Sequence, residues 1–170
     1  AEEAGSALTR RDHVGAGAVR VVVFAVFGGG ALRARLKDAG SKVLVSDRRS
    51  RAKIAQIRAD LPALETVFCG DGPAPGAEDF HAGLSVMSGD FVPVQTRADD
   101  PALIIYTSGT TGSPKGALHA HRTLLGHLPG VEMSHTFLRE PVDLLWTPAD
   151  WARIGGVSDV LFTAWQHGRP

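Results

Sequence analysis

The chain has 170 residues and 17.9 kDa, and its 18 basic and 18 acidic residues give a formal net charge of zero. This balance produces no overall field that would attract nucleic acid or an anionic membrane, so neither is expected as a partner. The single cysteine, Cys69, excludes an intrachain disulfide and a cysteine-rich zinc site and favours a reducing, cytoplasmic location. The apolar run at residues 19–27 is too short to cross a bilayer, which takes about 20 residues, so it predicts a core element and no membrane span.

Apolar spacing and turn residues predict helices and strands that alternate along the chain. Gly40 is expected to end the first helix, and Pro62 lies beyond the second. Residues 70–100 are rich in Gly, Pro and Asp and predict a long irregular connection with one or two helical turns. The predicted helices are residues 31–38, 50–60, 116–128 and 154–166, and the predicted strands are residues 42–46, 65–69, 101–107 and 142–147. This alternation predicts an α/β fold, with a mostly parallel sheet and helices on both of its faces.

One segment combines hydroxyls, glycines and a lysine directly after a predicted strand. Residues 106–116 read Tyr-Thr-Ser-Gly-Thr-Thr-Gly-Ser-Pro-Lys-Gly. Glycines let backbone N–H groups converge on an anion, the hydroxyls add donors, and the lysine adds a positive charge. The segment therefore predicts a site for the phosphates of a nucleoside triphosphate. Its candidate residues are Thr107, Ser108, Gly109, Thr110, Thr111, Gly112 and Lys115.

The spacing separates this loop from two commoner phosphate loops. A Walker A loop needs Gly-Lys-Ser/Thr, but Lys115 stands between Pro114 and Gly116. A dinucleotide fingerprint needs Gly-x-Gly-x-x-Gly between a strand and a helix, whereas Gly15-Ala16-Gly17 ends in Arg20 and precedes the apolar run. The remaining alternative is a solvated surface loop, a setting in which such composition is common.

Residues 106–116 resemble the signature loop of the adenylate-forming superfamily, which includes acyl-CoA synthetases, luciferases and the adenylation domains of peptide synthetases. Residues 146–156, Trp-Thr-Pro-Ala-Asp-Trp-Ala-Arg-Ile-Gly-Gly, resemble the next motif of the acyl-CoA synthetase branch. The resemblance is closest to bacterial acetyl- and medium-chain acyl-CoA synthetases and covers residues 24–170. It implies that residues 1–170 form one incomplete α/β domain, part of an N-terminal AMP-binding domain without the family's C-terminal domain.

The resemblance also implies a reaction. With ATP and Mg²⁺, such enzymes convert a carboxylate to an acyl-adenylate, and the thiol of coenzyme A then displaces AMP, a ligase chemistry of fatty acid metabolism. Thr107 and Lys115 would be catalytic, and Trp151, Gly155 and Gly156 would line the site for a short- or medium-chain carboxylate. The 170 residues alone are expected to be inactive, because the family's adenine-, ribose- and magnesium-binding segments lie outside them.

Several alternatives stay open at this point. The acyl group could pass to a carrier protein instead of coenzyme A, or the chain could be a noncatalytic nucleotide-binding remnant. Trp151 could be an ordinary core aromatic. No protein-bound metal site is expected, because His119 and His121 would point in nearly opposite directions on the predicted helix. The oligomeric state is not indicated by the sequence.

Overall fold

The computed structural model describes residues 15–107, 113–138, 145–149 and 153–169. Within these ranges short strands and helices alternate. The strands are β1 (Arg20–Val22), β2 (Val43–Ser46), β3 (Thr66–Cys69), β4 (Glu78–Asp79), β5 (Pro101–Thr107) and β6 (Lys115–Ala120). The helices are α1 (Gly29–Asp38), α2 (Arg51–Ile57), α3 (Phe80–Ser85), α4 (Thr123–Ser134) and α5 (Thr163–Gln166), the last preceded by a π-helical segment at Gly155–Phe162. Single 3₁₀ turns lie at Arg58–Asp60 and Thr136–Leu138.

The described strands form two three-stranded sheets. In one sheet the order is β1-β5-β6, with β1 parallel and β6 antiparallel to β5. In the other the order is β2-β3-β4, and both pairs are parallel. The predicted mostly parallel α/β architecture is confirmed, and the antiparallel β5–β6 pair is the exception that matters for the site.

The main core lies between the second sheet and helices α1 and α2. Apolar side chains on these helices face Val67 of β3 because the apolar positions recur at helical spacing. The buried members of this cluster are Leu32, Leu36, Ile54, Ile57, Leu61, Leu64 and Val67. Cys69, at the end of β3, is completely buried and unpaired, as expected for a small core residue. No helix in the described ranges has both the length and the apolar character needed to span a membrane.

Helix α1 ends as its glycine predicts. Gly40 has φ of +57°, and the N–H groups of Gly40 and Ser41 donate to the carbonyl oxygens of Lys37 and Leu36 at 3.1 and 3.0 Å. These two bonds form a Schellman motif, which satisfies carbonyl groups that have no partner inside the helix. The turn directs the chain from α1 into β2, at the edge of the second sheet.

The prediction of a helix at residues 116–128 is wrong in its first half. Residues 115–120 form β6, because their backbone groups pair with β5 along the register from Thr107↔Lys115 to Pro101↔Ala120. The helix begins only at Thr123, and it continues through Pro129 to Ser134. Pairing with β5 therefore overrides the helix preference of the Ala and Leu residues in this segment. Of the predicted strand at residues 142–147, residues 142–144 lie outside the described ranges, and residues 145–147 are not in a strand.

Candidate functional site

The two ends of the predicted phosphate loop meet at the mouth of a β-hairpin. Thr107 is the last residue of β5 and Lys115 the first of β6, and they are direct partners in the antiparallel register. Opposite partners project their side chains to the same face, so the hydroxyl and the ammonium group flank the loop together. Both residues are exposed, and no carboxylate among the described residues forms an ion pair with Lys115. The hairpin therefore presents a donor and a cation side by side.

Close packing on the opposite face of the hairpin explains why position 116 is a glycine. This residue pairs with Tyr106, and a Cβ at position 116 would lie 2.9 Å from Cγ2 of Ile104 and 3.1 Å from Cζ of Tyr106. The first distance is shorter than real Cβ atoms show and the second is tighter than most, so the missing side chain at position 116 gives the Tyr106 ring room to cross β6. Tyr106 and Gly116 form one matched pair beneath the loop.

The hydroxyl of Tyr106 joins the hairpin to the last turn of α1. It lies 2.6 Å from Oδ2 of Asp38 and 3.1 Å from the backbone carbonyl oxygen of Arg35. Burial of the ring, together with the hydrogen bond to Asp38 and the charge of that carboxylate, raises the pKa of Tyr106 to about 12. The phenol is therefore protonated near neutral pH and donates its proton to these acceptors.

Arg35 supports the same contact from inside α1. Its side chain is buried, its guanidinium carbon lies 4.2 Å from the ring centroid of Phe27 and 5.7 Å from that of Tyr106, and Nη1 donates to the carbonyl oxygen of Ala31 at 2.9 Å. A guanidinium over an aromatic face is attractive and holds the ring in place. Helix, ring and hairpin thus form one packed unit.

The predicted acyl-site glycines lie on the π-helical segment. Gly155 is half-buried and Gly156 is buried. Next to them Oδ1 of Asp159 contacts Nε2 of His127 on α4, and Oδ2 lies 3.4 Å from where a Cβ on Gly155 would stand. The absence of a side chain at Gly155 therefore leaves space beside a paired histidine and aspartate.

A contact between Arg153 and Phe24 brings this segment toward the phosphate-loop end of the first sheet. The guanidinium of Arg153 lies 5.8 Å from the Phe24 ring centroid. Val22 of β1 pairs with Ile105 of β5 in the parallel register. Phe24 lies two residues after Val22, and Thr107 lies two residues after Ile105. Both loops therefore leave the same, carboxyl edge of the sheet, where ligands of α/β proteins bind.

Several predicted site residues lie outside the described ranges. These are Ser108, Gly109, Thr110, Thr111, Gly112 and Trp151. The structure thus brings together Thr107 and Lys115, and it places Gly155 and Gly156 on a second element that reaches the same sheet edge.

The prediction that His119 and His121 lie on a helix and point in nearly opposite directions is wrong. His119 lies on β6 and His121 one residue beyond it, and on a strand residues two apart share a face. The described residues nevertheless contain no group of three or more His, Cys, Asp or Glu side chains that could hold a metal ion. Thr107 and Lys115 themselves offer no carboxylate to a magnesium ion.

Two residues near the site were missed from sequence, Asp38 and Arg35. One signal was present: Asp38 is an acidic residue at a helix C-terminus, where the helix dipole disfavours negative charge. An acid in such a position suggests a specific partner, and here that partner is the Tyr106 hydroxyl, at a sequence separation of 68.

The chain belongs to the AMP-binding enzyme family, whose match covers residues 14–169. Among its relatives are the acetyl-coenzyme A synthetase of Xanthobacter autotrophicus, 32% identical over 165 residues, and acetyl-coenzyme A synthetase 2 of Pseudomonas aeruginosa, 33% identical over 164 residues. Each match covers 86% of this chain and 25% of the relative. The chain therefore spans about a quarter of the length of these relatives.

The fold is similar to those of solved adenylate-forming enzymes. An anthranilate CoA ligase in complex with anthranoyl-AMP superimposes with a TM-score of 0.80 at 27% identity, over 90% of this chain and 30% of the ligase. An acyl-CoA synthetase of Brucella canis superimposes with a TM-score of 0.73 at 25% identity, over 91% of this chain and 28% of that enzyme. The expected fold class is confirmed by these likenesses.

Proposed function

We propose that this chain carries the triphosphate-binding hairpin and part of the acyl pocket of an AMP-forming acyl-CoA ligase. The substrates would be a short- or medium-chain carboxylic acid, ATP with Mg²⁺, and coenzyme A. The observation that carries the proposal is the direct pairing of Thr107 with Lys115 at the mouth of the hairpin. Membership of the AMP-binding enzyme family and the acetyl-coenzyme A synthetases among its relatives support it.

The chemistry needs donors that are already in place. In the first step a carboxylate oxygen attacks the α-phosphorus of ATP, and the bond to pyrophosphate breaks. Negative charge gathers on the leaving pyrophosphate, so fixed donors at its oxygens lower the barrier. We assign this role to the Thr107 hydroxyl and the Lys115 ammonium group, together with residues 108–112. In the second step the thiolate of coenzyme A attacks the acyl carbon and AMP leaves.

Substitution of Lys115 tests the phosphate assignment. In a longer protein that contains this chain, Lys115→Ala should weaken ATP binding by about ten-fold and leave AMP binding nearly unchanged, because only ATP carries the β- and γ-phosphates. Isothermal titration with both nucleotides measures this difference. Lys42→Ala is the matched control, since it removes the same charge near the second sheet, where Lys42 pairs with Glu65 at 3.3 Å. Equal losses for ATP and AMP would place Lys115 away from the terminal phosphates.

Substitution of Gly155 tests the acyl assignment. A side chain at this position would enter the space beside Asp159, so Gly155→Val should slow carboxylate-dependent ATP–pyrophosphate exchange with longer acids and spare acetate. The same longer protein is assayed with acetate, butanoate and octanoate, and acetate serves as the internal control. A uniform loss with all three acids would argue against a pocket wall at Gly155. We propose that Trp151 and Gly156 line the same pocket.

The acceptor decides between a ligase and an adenylation domain. The acetyl-coenzyme A synthetases among the relatives favour coenzyme A, so product should form with coenzyme A and not with a phosphopantetheinyl carrier protein. We expect the 170 residues alone to catalyse no carboxylate-dependent ATP–pyrophosphate exchange. Such exchange by the purified chain would contradict this expectation.

We place the activity in the cytoplasm, in keeping with the free thiol of Cys69, and in fatty acid metabolism.

A further inference from the structure

We infer that Tyr106 is a positioning residue: through its hydroxyl and Asp38, the last turn of α1 holds Thr107 and Lys115 in the register that the phosphate loop requires. The inference concerns residues beneath the loop, none of which the proposed function assigns. Its link to nucleotide binding rests on that proposed function.

The contact lies at the point where it can control the loop. Tyr106 directly precedes Thr107, and its partner Gly116 directly follows Lys115. The pair Tyr106↔Gly116 is therefore next to the pair Thr107↔Lys115 in the hairpin. A shift of the Tyr106 ring would move both strands at the loop mouth together.

The hydroxyl is the directional part of this contact. The ring packs on Gly116 and near Arg35 through contacts that a phenylalanine would keep. Only the hydroxyl makes the 2.6 Å bond to the Asp38 carboxylate, a charge-assisted bond of the stronger class. Asp38 also stands at a helix end that disfavours its charge, which the bond from Tyr106 offsets. The bond therefore accounts both for the acidic residue at the end of α1 and for the hydroxyl at position 106.

Tyr106 is the only tyrosine of the chain, so its ionisation can be followed directly. In the 170-residue chain, the phenolate absorbance should rise only as the pH approaches about 12, and in Asp38→Asn the midpoint should fall toward the ordinary value of 10.0. Asp60→Asn is the matched control, because it removes a different carboxylate that pairs with α1, 3.0 Å from Arg33. A phenolate titration midpoint near 10.0 in the unsubstituted chain, or the same midpoint in Asp38→Asn as in the unsubstituted chain, would overturn the proposed contact.

Amide hydrogen exchange tests the positioning itself. Tyr106→Phe and Asp38→Asn should each speed exchange by about ten-fold at the hydrogen-bonded amides of the two pairs at the hairpin mouth, Tyr106↔Gly116 and Thr107↔Lys115, while the central pairs of β5 and β6 keep their protection. Asp38→Asn leaves Tyr106 intact, so it controls for a general folding defect in the Tyr106→Phe variant. Unchanged exchange at the mouth in both variants would overturn the proposal.

Nucleotide binding then separates this inference from the proposed function. In the longer protein, Tyr106→Phe should weaken ATP binding by about ten-fold and leave AMP binding unchanged. If exchange at the mouth speeds up but the unsubstituted protein binds no ATP, the positioning stands and the proposed function fails. If the unsubstituted protein binds ATP and Tyr106→Phe binds it equally well, Tyr106 does not position the phosphate loop.

Discussion

At the scale of single residues, the glycine at position 116 makes the clearest prediction. Gly116→Ala would place a methyl group 2.9 Å from Cγ2 of Ile104 and 3.1 Å from the Tyr106 ring, so these side chains or their strand must shift. We expect a loss of about 1–3 kcal/mol in the free energy of unfolding, typical of overpacking. Urea denaturation of the chain measures it. Gly126→Ala on α4 is the control: nothing lies within 4 Å of its added Cβ, and alanine should stabilise the helix by about 0.5–1 kcal/mol. Equal stability of the two variants would contradict the close packing at position 116.

The raised pKa of Tyr106 makes the stability of the chain depend on alkaline pH. Below the unfolded value of 10.0 the phenol is protonated in both states, so its contribution is fully present. As the pH rises through the folded value of about 12 the phenolate forms and the contribution is lost. The stability difference between the unsubstituted chain and Tyr106→Phe should therefore be constant below pH 10 and shrink toward pH 12. Urea midpoints of both chains at several pH values measure this, and a difference that grows with pH would contradict the assignment.

The pair of His127 and Asp159 is predicted to contribute little to stability. Their side chains are 42% and 45% exposed, so water screens the interaction. His127→Ala should lower the free energy of unfolding by less than about 1 kcal/mol near neutral pH. Thermal unfolding measures this, with Asp159→Asn as the companion variant. A loss of several kcal/mol would show that the pair holds α4 to the π-helical segment.

At the scale of elements, the sequence predicts some pieces well and others poorly. Strand β5 was predicted at its observed bounds, because an apolar run is followed directly by turn residues. Helix α1 and strand β3 were also predicted within one or two residues. Their signals are local: apolar spacing, a terminal glycine and β-branched residues. These are the cases in which local preference and tertiary structure agree.

Residues 115–120 show why other elements could not be predicted. Their composition suits a helix, and only the ladder with β5 makes them a strand. The consequence for the site is direct, since the loop leads from one strand to another, and Lys115 begins a strand instead of a helix. Asp38 and Tyr106 were separated by 68 positions, and their contact follows from tertiary packing that no local pattern reports. A local pattern indicates the candidate ligand-binding residues, whose roles stay a prediction, but it does not indicate the residues that support them from distant parts of the chain.

The C-terminal turn of α1 provides a prediction at this scale. Gly40 has φ of +57°, a conformation that costs an alanine about 1 kcal/mol. Gly40→Ala should lower the stability of the chain by about that amount, as measured by urea denaturation. The control is Gly30→Ala in the same helix, which has nothing within 4 Å of its added Cβ and should be neutral or stabilising by up to about 1 kcal/mol. A neutral result at position 40 would argue against the Schellman turn.

At the scale of the whole molecule, edge strands of both described sheets carry exposed apolar side chains. On β6, Leu118 is 60% exposed, and on β2, Val43 is 51% exposed. Strands β1 and β2 also border a cavity of about 1230 Å³ that is lined largely by apolar side chains. Exposed strands with apolar side chains offer unpaired backbone groups to other chains. We therefore expect the 170-residue chain to self-associate as its concentration rises.

A charge on the exposed edge should reduce this association. Leu118→Lys places a cation on β6 without entering the core, so sedimentation velocity should show less self-association than in the unsubstituted chain. Leu125→Lys on α4 is the control, because that leucine is similarly exposed, at 65%, but lies on a helix. If both substitutions act equally, net charge and not the strand edge governs the association.

The hairpin that holds the loop has a consequence for the order of folding. Thr107 and Lys115 lie eight positions apart in the sequence, whereas the β1–β5 pair joins residues as distant as Arg20 and Leu103. Closing a short segment costs little chain entropy, and hairpins form within about 1–10 μs. We therefore expect the mouth of the loop to assemble early and from local contacts, and β1 to add to a preformed hairpin. The rate-limiting step would then be the arrival of β1 from the distant N-terminal part of the chain.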